Sequence, residues 1–286
     1  MYISVIIISF NGIEFIKDCL ATVFTSLAGI DAEIIVIDNG SADGTCELIK
    51  ARYPEVKLTK NPGNLGYARA VNQGAEQATG KFILLLNQDT RIRDRAIVKM
   101  AERMARDSTI GTIGPMFVGF DGTLRKSCRV FPCYRHLFFE FTGLAWLFPR
   151  SRLFGEWKMG WFDHLTEHEI DQPMGAALMI RKEIFDAMGR FDETFRIFFN
   201  DVDFCRRITE RGLRNLYFPA AVVEHYFGGS IGTMKPRMVI ESHRAMFRYF
   251  RKYSRGIHRL PLLYFWGLVL WLTAYVRAGY HLILRK

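Results

Sequence analysis

Two acidic clusters in this 286-residue chain have the residue types and spacing for chemistry. Asn87-Gln88-Asp89-Thr90 follows directly on the apolar run 82–86. A carboxylate where a buried strand runs out can hold a hard divalent cation, and such a cation can bridge two phosphates. Taken alone, a polar turn capping the next helix is the plainer reading. Asn200-Asp201-Val202-Asp203 stands behind Phe198-Phe199. Asp201 and Asp203 straddle a helix start, so an N-cap role explains one of them. It explains neither the second acid nor the aromatic pair. A carboxylate in an apolar setting can have its pKa raised toward the working range of a general base. His225, just before Phe227-Gly228-Gly229-Ser230, is a lone histidine, and such residues are more often structural than ligands.

Other segments exclude chemistry. Asp38-Asn39-Gly40-Ser41-Ala42-Asp43-Gly44-Thr45 fails the calcium-loop pattern at its third position, Gly40. No Walker lysine loop occurs, Gly63-Asn64-Leu65-Gly66 is not a dinucleotide fingerprint, and the serine-hydrolase elbow is missing. The five cysteines are scattered, odd in number and without a Cys-x-x-Cys pair, which argues against a zinc knuckle and a disulfide framework. Residues 2–10 lack the basic lead-in and cleavage site of a secretory signal, so a reducing compartment is expected.

The elements that must position the clusters alternate. Short β-branched runs at 3–9, 33–37, 56–59 and 82–86 read as strands, with helical stretches at 13–27, 43–52, 65–78 and 94–106. Such alternation predicts a parallel sheet covered on both faces. Ligands of these sheets sit beyond the carboxyl ends of the strands, where Asn11, Asp38 and the 87–89 segment fall. From about 110 the texture changes: Asp121-Gly122 predicts a turn inside a hairpin, and an aromatic- and arginine-rich stretch runs to about 160. Further strands are predicted at 174–180, 215–218 and 222–225, and helices at 182–188 and 201–211.

The formal net charge of +10 is unevenly placed. Residues 235–286 hold eleven Lys/Arg against the single acid Glu241, and residues 1–234 balance to zero. An anionic partner surface follows, either nucleic acid or phospholipid. The absence of a helix-turn-helix or RNA-binding motif argues against nucleic acid. Arg237, Arg244, Arg248, Arg251 and Arg255 recur at helical spacing opposite Val239, Met246, Phe250 and Tyr253, predicting an amphipathic helix with a cationic face. Residues 260–276 then run seventeen positions without a charge and carry two Trp and two Tyr. At ~1.5 Å per residue they cover about 26 Å, just under the ~30 Å hydrocarbon core. An interfacial or half-inserted helix is the preferred reading, with a full span as the alternative.

The order of these segments along the chain carries a resemblance. The 38–45 loop, Asn61-Pro62-Gly63-Asn64-Leu65-Gly66-Tyr67-Ala68, Leu86-Asn87-Gln88-Asp89-Thr90, Gly175-Ala176-Ala177-Leu178-Met179-Ile180-Arg181, Gly189-Arg190-Phe191-Asp192-Glu193 and Phe199-Asn200-Asp201-Val202-Asp203 together resemble glycosyltransferase family 2. The likeness covers about residues 2–250 and is nearest to the rhamnosyltransferases of bacterial surface-polysaccharide synthesis. It implies the α/β GT-A fold, Rossmann-like, with a mostly parallel central sheet and helices on both faces. The implied domain spans 1–234, with a nucleotide-sugar part to about 110 and an acceptor and base part from 111. Residues 235–286 would be a membrane-associating helical tail.

By the same resemblance, Asp38 would hold the base or ribose of the nucleotide, with Ser9 and Asn11 lining that pocket. Asn64, Gly66 and Arg69 would border base and diphosphate. Asp89 matches the last residue of the family's Asp-x-Asp metal motif, and Asn87 stands at its first position. His225 matches a histidine that completes the metal site in some relatives. Asp201 matches the catalytic base, with Asn200 and Asp203 supporting the acceptor. The implied cofactor is a divalent metal, Mg²⁺ or Mn²⁺. The implied reaction inverts a sugar, L-rhamnose from dTDP-L-rhamnose, onto a polyprenyl-diphosphate-linked saccharide at the cytoplasmic face of the membrane. A UDP-hexose or UDP-N-acetylhexosamine donor is the alternative. A nucleic-acid-binding protein and a non-catalytic scaffold are the other classes. In the apolar stretch 137–148, a buried core helix is the plainer reading and a contact at the acceptor mouth the other.

Overall fold

Ile3-Ser4-Val5-Ile6-Ile7-Ile8-Ser9 forms β1 (Ile3–Ser9), buried along its whole length. A strand apolar on both faces belongs at the centre of a covered parallel sheet. Accordingly β1 pairs in parallel with β2 (Ala32–Asp38) on one side and β4 (Phe82–Asn87) on the other, and β3 (Lys57–Lys60) extends β2. The computed structural model describes residues 2–226, 236–254 and 259–283. The crossovers are α1 (Ile13–Leu27), α2 (Thr45–Arg52) and α3 (Tyr67–Gln77), each within a few residues of its predicted position.

After β4 the chain makes β5 (Thr90–Ile92), α4 (Ala96–Ala105), β6 (Ile110–Val118) and β7 (Leu124–Arg125). Then follow α5 (Tyr134–Phe141), α6 (Leu144–Leu147), β8 (His168–Glu169), β9 (Ala177–Arg181), α7 (Lys182–Ala187), α8 (Asn200–Glu210), β10 (Arg214–His225), α9 (Pro236–Tyr253) and α10 (Leu260–Ile283). The sheet runs β3-β2-β1-β4-β9-β6-β10-β5. Its core packs in two layers, against α1 and α4 on one face and against α3, α7 and α8 on the other.

Three details differ from the sequence reading. The sheet is mixed, because β9 lies antiparallel between β4 and β6. It arrives after the long 119–176 excursion and not through a single crossover helix, so nothing forces it parallel. The strands expected at 215–218 and 222–225 are one strand, β10, whose register against β6 shifts between Phe218 and Val222. Pro219 has no N–H to give the ladder, and the strand bulges around it. Third, 137–148 is not a buried core helix. Gly143 (φ 77°) ends α5 and starts α6, which buries no residue, and Trp146 is 85% exposed. The Asp121-Gly122 turn is as expected, with Gly119 N–H donating to Thr123 O at 2.8 Å.

The tail helices follow the expected amphipathic pattern. On α9, Val239, Ala245, Tyr249 and Phe250 are buried, and Arg237, Arg244 and Arg251 are exposed. Part of the cationic face is tied inward: Lys252 reaches Asp203 at 2.6 Å and Asp192 at 2.7 Å. Arg255 and the 227–230 segment lie outside the described residues. On α10, Leu263, Trp266 and Leu270 pack with Phe250 of α9 and Leu137 of α5. Its opposite face leaves Phe265, Leu268, Trp271, Leu272 and Val276 exposed. By length and composition, Leu260–Gly279 is long and apolar enough to cross a membrane.

Candidate active site

A cleft of about 1240 Å³ opens at the carboxyl ends of β1, β2 and β4. The 172–176 segment and the start of α8 form its opposite wall, and it continues to α5, α9 and α10.

On the sheet side, Asn11, two residues past the end of β1, has φ 47° and lines the cleft. Its Oδ1 accepts Ala42 N–H at 3.0 Å and its own N–H donates to Ser41 Oγ at 2.8 Å. Asp38 is fully buried and turns into the loop that follows it. Its Oδ1 accepts the N–H groups of Gly40 (3.1 Å) and Ser41 (2.8 Å), and Oδ2 accepts the Ser41 hydroxyl (2.6 Å). Asn39 lines the cleft in its place. Ser9 is buried and donates to Gln88 Oε1 at 2.8 Å.

Asn64 reaches the cleft and accepts Gly66 N–H through Oδ1 at 3.0 Å. Gly66 has φ 95°, and a Cβ there would meet the Arg196 carbonyl oxygen at 3.0 Å. That carbonyl accepts the N–H groups of Tyr67 (2.6 Å) and Ala68 (3.2 Å), which caps the start of α3 with protein. Arg69 is exposed on α3 and does not line the cleft.

At the floor, β4 ends in Asn87, whose N–H donates to Ala176 O at 2.9 Å. The chain turns through Gln88-Asp89 into β5, which pairs antiparallel with β10 and sets Thr90 opposite His225. This register brings His225 Nε2 to 3.3 Å from Asp89 Oδ1. Both residues are buried and both line the cleft, as does Asn87. Among the described residues, no group of three or more His, Cys, Asp or Glu side chains is placed to hold a metal. A buried carboxylate and imidazole side by side are nevertheless two compatible donors. A small divalent cation bound to one or two side chains completes its shell with substrate phosphates and water, which the cleft can admit.

On the opposite wall, Phe199 takes a left-handed φ of 67° and is the N-cap of α8, so neither Asp201 nor Asp203 has that position. A bulky residue in this region is uncommon and carries a local strain cost. Asp201 Oδ1 accepts Val202 N–H at 2.9 Å. Its Oδ2 accepts Gly175 N–H at 3.0 Å and Gln172 Nε2 at 3.4 Å. Burial pushes its carboxyl above the usual range and outweighs these donors. Asn200 lines the cleft and its Oδ1 accepts Asp201 N–H at 2.8 Å. Asp203 points the other way: it is fully buried, pairs with Arg207 (2.9 Å) and Lys252 (2.6 Å), and accepts the Tyr253 hydroxyl (2.8 Å).

Four residues escaped the sequence reading. Gln88 clamps the end of β1, accepting Phe10 N–H at 3.0 Å and donating to Phe10 O at 3.1 Å. Gly175 and Gln172 hold Asp201, and the Tyr67 hydroxyl donates to Gly175 O at 3.3 Å. Gln88, Gly175 and Tyr67 lie inside segments that carry the resemblance. Gln172 has no such signal.

Residues 4–165 match the family model described as Glycosyl transferase family 2. Among curated proteins, the chain is 26% identical over 241 residues to N-acetylglucosaminyl-diphospho-decaprenol L-rhamnosyltransferase of Mycobacterium tuberculosis, covering 80% of this chain and 78% of that one. Among solved structures, a mannosyltransferase of Pyrobaculum calidifontis in complex with GDP-Man and Mn²⁺ superposes with a TM-score of 0.60 at 17% identity. That match covers 97% of this chain and 74% of the other. GalNAc-T7, solved with UDP, GalNAc and Mn²⁺, gives 0.57 at 17% identity, covering 85% of this chain and 47% of the other. The architecture is therefore the GT-A fold. With five of the six motif segments contributing to one cleft and the family model matched over more than half of the sequence, the chain belongs to glycosyl transferase family 2.

Proposed function

We propose that this glycosyltransferase moves L-rhamnose from dTDP-L-rhamnose onto a polyprenyl-diphosphate-linked saccharide, with inversion at the anomeric carbon. The observation that carries the reading is a single cleft with a buried Asp89–His225 pair on its floor and the Asp201 carboxylate on the opposite wall. The acceptor hydroxyl oxygen bonds to the anomeric carbon as the nucleoside diphosphate departs with the electrons of the broken C–O bond. Asp201 takes the hydroxyl proton. One such in-line displacement needs one carboxylate base, unlike the acid–base pair of glycosidases. Asp89 and His225 would hold Mg²⁺ or Mn²⁺, which when bound offsets charge developing on the leaving diphosphate. Asn11, Asn39 and Asn64 line the part of the cleft assigned to the nucleotide. Asp38 supports that part from behind through the 40–41 turn.

The choice of rhamnose and of a lipid-linked acceptor is supported by the mycobacterial relative, whose name states both. The tail supports a site at the cytoplasmic membrane face. The exposed apolar face of α10 and the exposed Trp146-Leu147-Phe148 at the end of α6 present aromatic and aliphatic surface, and Arg237, Arg244 and Arg251 present charge. Basic residues near an anionic bilayer contribute about 1 kcal/mol each. In this reading 1–234 is the catalytic domain and 235–286 the membrane-associating tail.

Thermal stabilisation by dTDP, UDP and GDP, each with and without Mn²⁺, tests the donor. A ligand at ~100 times its dissociation constant adds about 2.7 kcal/mol. A metal-dependent shift with dTDP alone is expected. Preference for UDP would replace rhamnose with a UDP-sugar, and no shift in folded protein would favour a non-catalytic scaffold.

A further inference from the structure

Among the described residues, Arg129 is a half-buried cation of the cleft with no ion pair to an acid, whereas Arg277, which also lines the cleft, is exposed. Among the same residues the Arg129 guanidinium has one protein partner, the neighbouring Cys128 carbonyl at 3.4 Å. The other inward arginines are saturated. Arg181 donates to the Ile110, Met104 and Asp107 carbonyls, and Arg207 to Asp203 and the Met188 and Arg190 carbonyls. Lys158, also in the cleft, pairs with Glu140 at 2.6 Å. Burial pushes the Arg129 pKa down, whereas Glu167 and Asp186 hold those of Arg103 and Arg190 up. A half-buried guanidinium without a counter-charge is costly unless a ligand supplies the anion.

Its placement specifies which anion. Arg129 and Gln172 exchange both backbone hydrogen bonds, N–H to O at 3.3 Å and at 3.1 Å, as an isolated antiparallel bridge. Gln172 in turn donates to Asp201. Arg129 is therefore the cross-strand partner of the residue whose side chain reaches the proposed base, and both Arg129 and Asp201 line the cleft. The cleft there continues along apolar Leu137, Phe141, Met246 and Leu270 of α5, α9 and α10. An anion held between a base and an apolar channel is the phosphate of an amphiphile.

We infer that Arg129 seats the phosphate nearest the saccharide of a lipid-linked acceptor, fixing the distance from that phosphate to the hydroxyl presented to Asp201. This rests on the lipid-linked acceptor reading above. Arg is suited to the role because its planar fork binds phosphate through two parallel hydrogen bonds.

The test uses the full chain in nonionic detergent with two acceptors of one saccharide, a prenyl diphosphate and a phosphate-free alkyl glycoside. Arg129→Gln is expected to raise KM for the diphosphate acceptor by about tenfold or more, with KM for donor and for glycoside unchanged. Arg129→Lys should recover part of the loss, and it carries the comparison if the Gln variant does not fold. Equal losses on both acceptors would make Arg129 a support for Gln172 and overturn the assignment. A rise in donor KM would move it to the donor phosphates, and a loss seen only on anionic vesicles would move it to phospholipid headgroups. If the wild type uses the diphosphate acceptor and the Gln variant matches it, the Arg129 assignment alone fails. If the wild type uses only the glycoside, the lipid-linked reading fails with it.

Discussion

Gly175 N–H donates to Oδ2 of Asp201 across 3.0 Å, and a Cβ built on Gly175 would lie 2.8 Å from that same oxygen. The close approach is open only to glycine, and it sets the direction of the Asp201 carboxylate. Gly175→Ala is therefore expected to displace Asp201 and lower kcat by about tenfold to a hundredfold, within the range of a misplaced catalytic group. Nucleotide binding, read by thermal shift, should be preserved. An unchanged kcat would separate Gly175 from the function of Asp201.

Asp203 lies two residues from Asp201 and serves the fold. Removing its side chain leaves Arg207 and Lys252 without their shared carboxylate. Asp203→Ala should cost about 3 kcal/mol or more in unfolding free energy, the scale of a broken buried ion pair. Turnover of the remaining folded protein at low temperature should be near wild type. Chemical denaturation and a low-temperature assay together check this.

The acid limb of the pH–rate profile should report Asp201. A base acts only when deprotonated, and burial raises the pH at which this carboxyl loses its proton. Activity should therefore rise with pH through a pKa above the ordinary Asp value of about 3.9. Gln172→Ala removes a donor that favours the ionised form, so it should move the limb to still higher pH. A limb that stays in place in the Gln172 variant would assign it to another group.

Asp89 and His225 should act together on metal-dependent binding. Asp89→Ala or His225→Ala is expected to remove most of the extra stabilisation that Mn²⁺ gives the dTDP complex, an increment that is one part of the about 2.7 kcal/mol expected for the whole complex at ligand near 100 times its dissociation constant. Metal-free nucleotide binding should change little. A variant that keeps the full Mn²⁺ increment would locate the metal elsewhere.

How much was legible in the sequence follows from what each signal measures. Strands β1, β2 and β4 and the three crossover helices could be read because apolar runs buried on both faces differ sharply from helical stretches. Periodicity gives a strand but not its direction, so β9 was found and its antiparallel insertion was not. The 137–148 stretch shows the same limit, since apolarity does not say whether anything covers Trp146. Motif position put Asp38 in the nucleotide pocket, yet its carboxylate is consumed by the turn it caps. The Arg129–Gln172 bridge joins segments with no regular pattern, and only the folded chain reveals it.

The most direct measurement is turnover of dTDP-L-rhamnose on a prenyl-diphosphate-linked saccharide by the wild type and by Asp201→Asn. The substitution keeps the size of the side chain and removes the base. The expected result is a loss of about a hundredfold to ten-thousandfold in kcat, the usual contribution of general-base catalysis, with nucleotide binding and melting temperature maintained. An Asp201→Asn protein that turns over at the wild-type rate would contradict the assignment of Asp201 as the base.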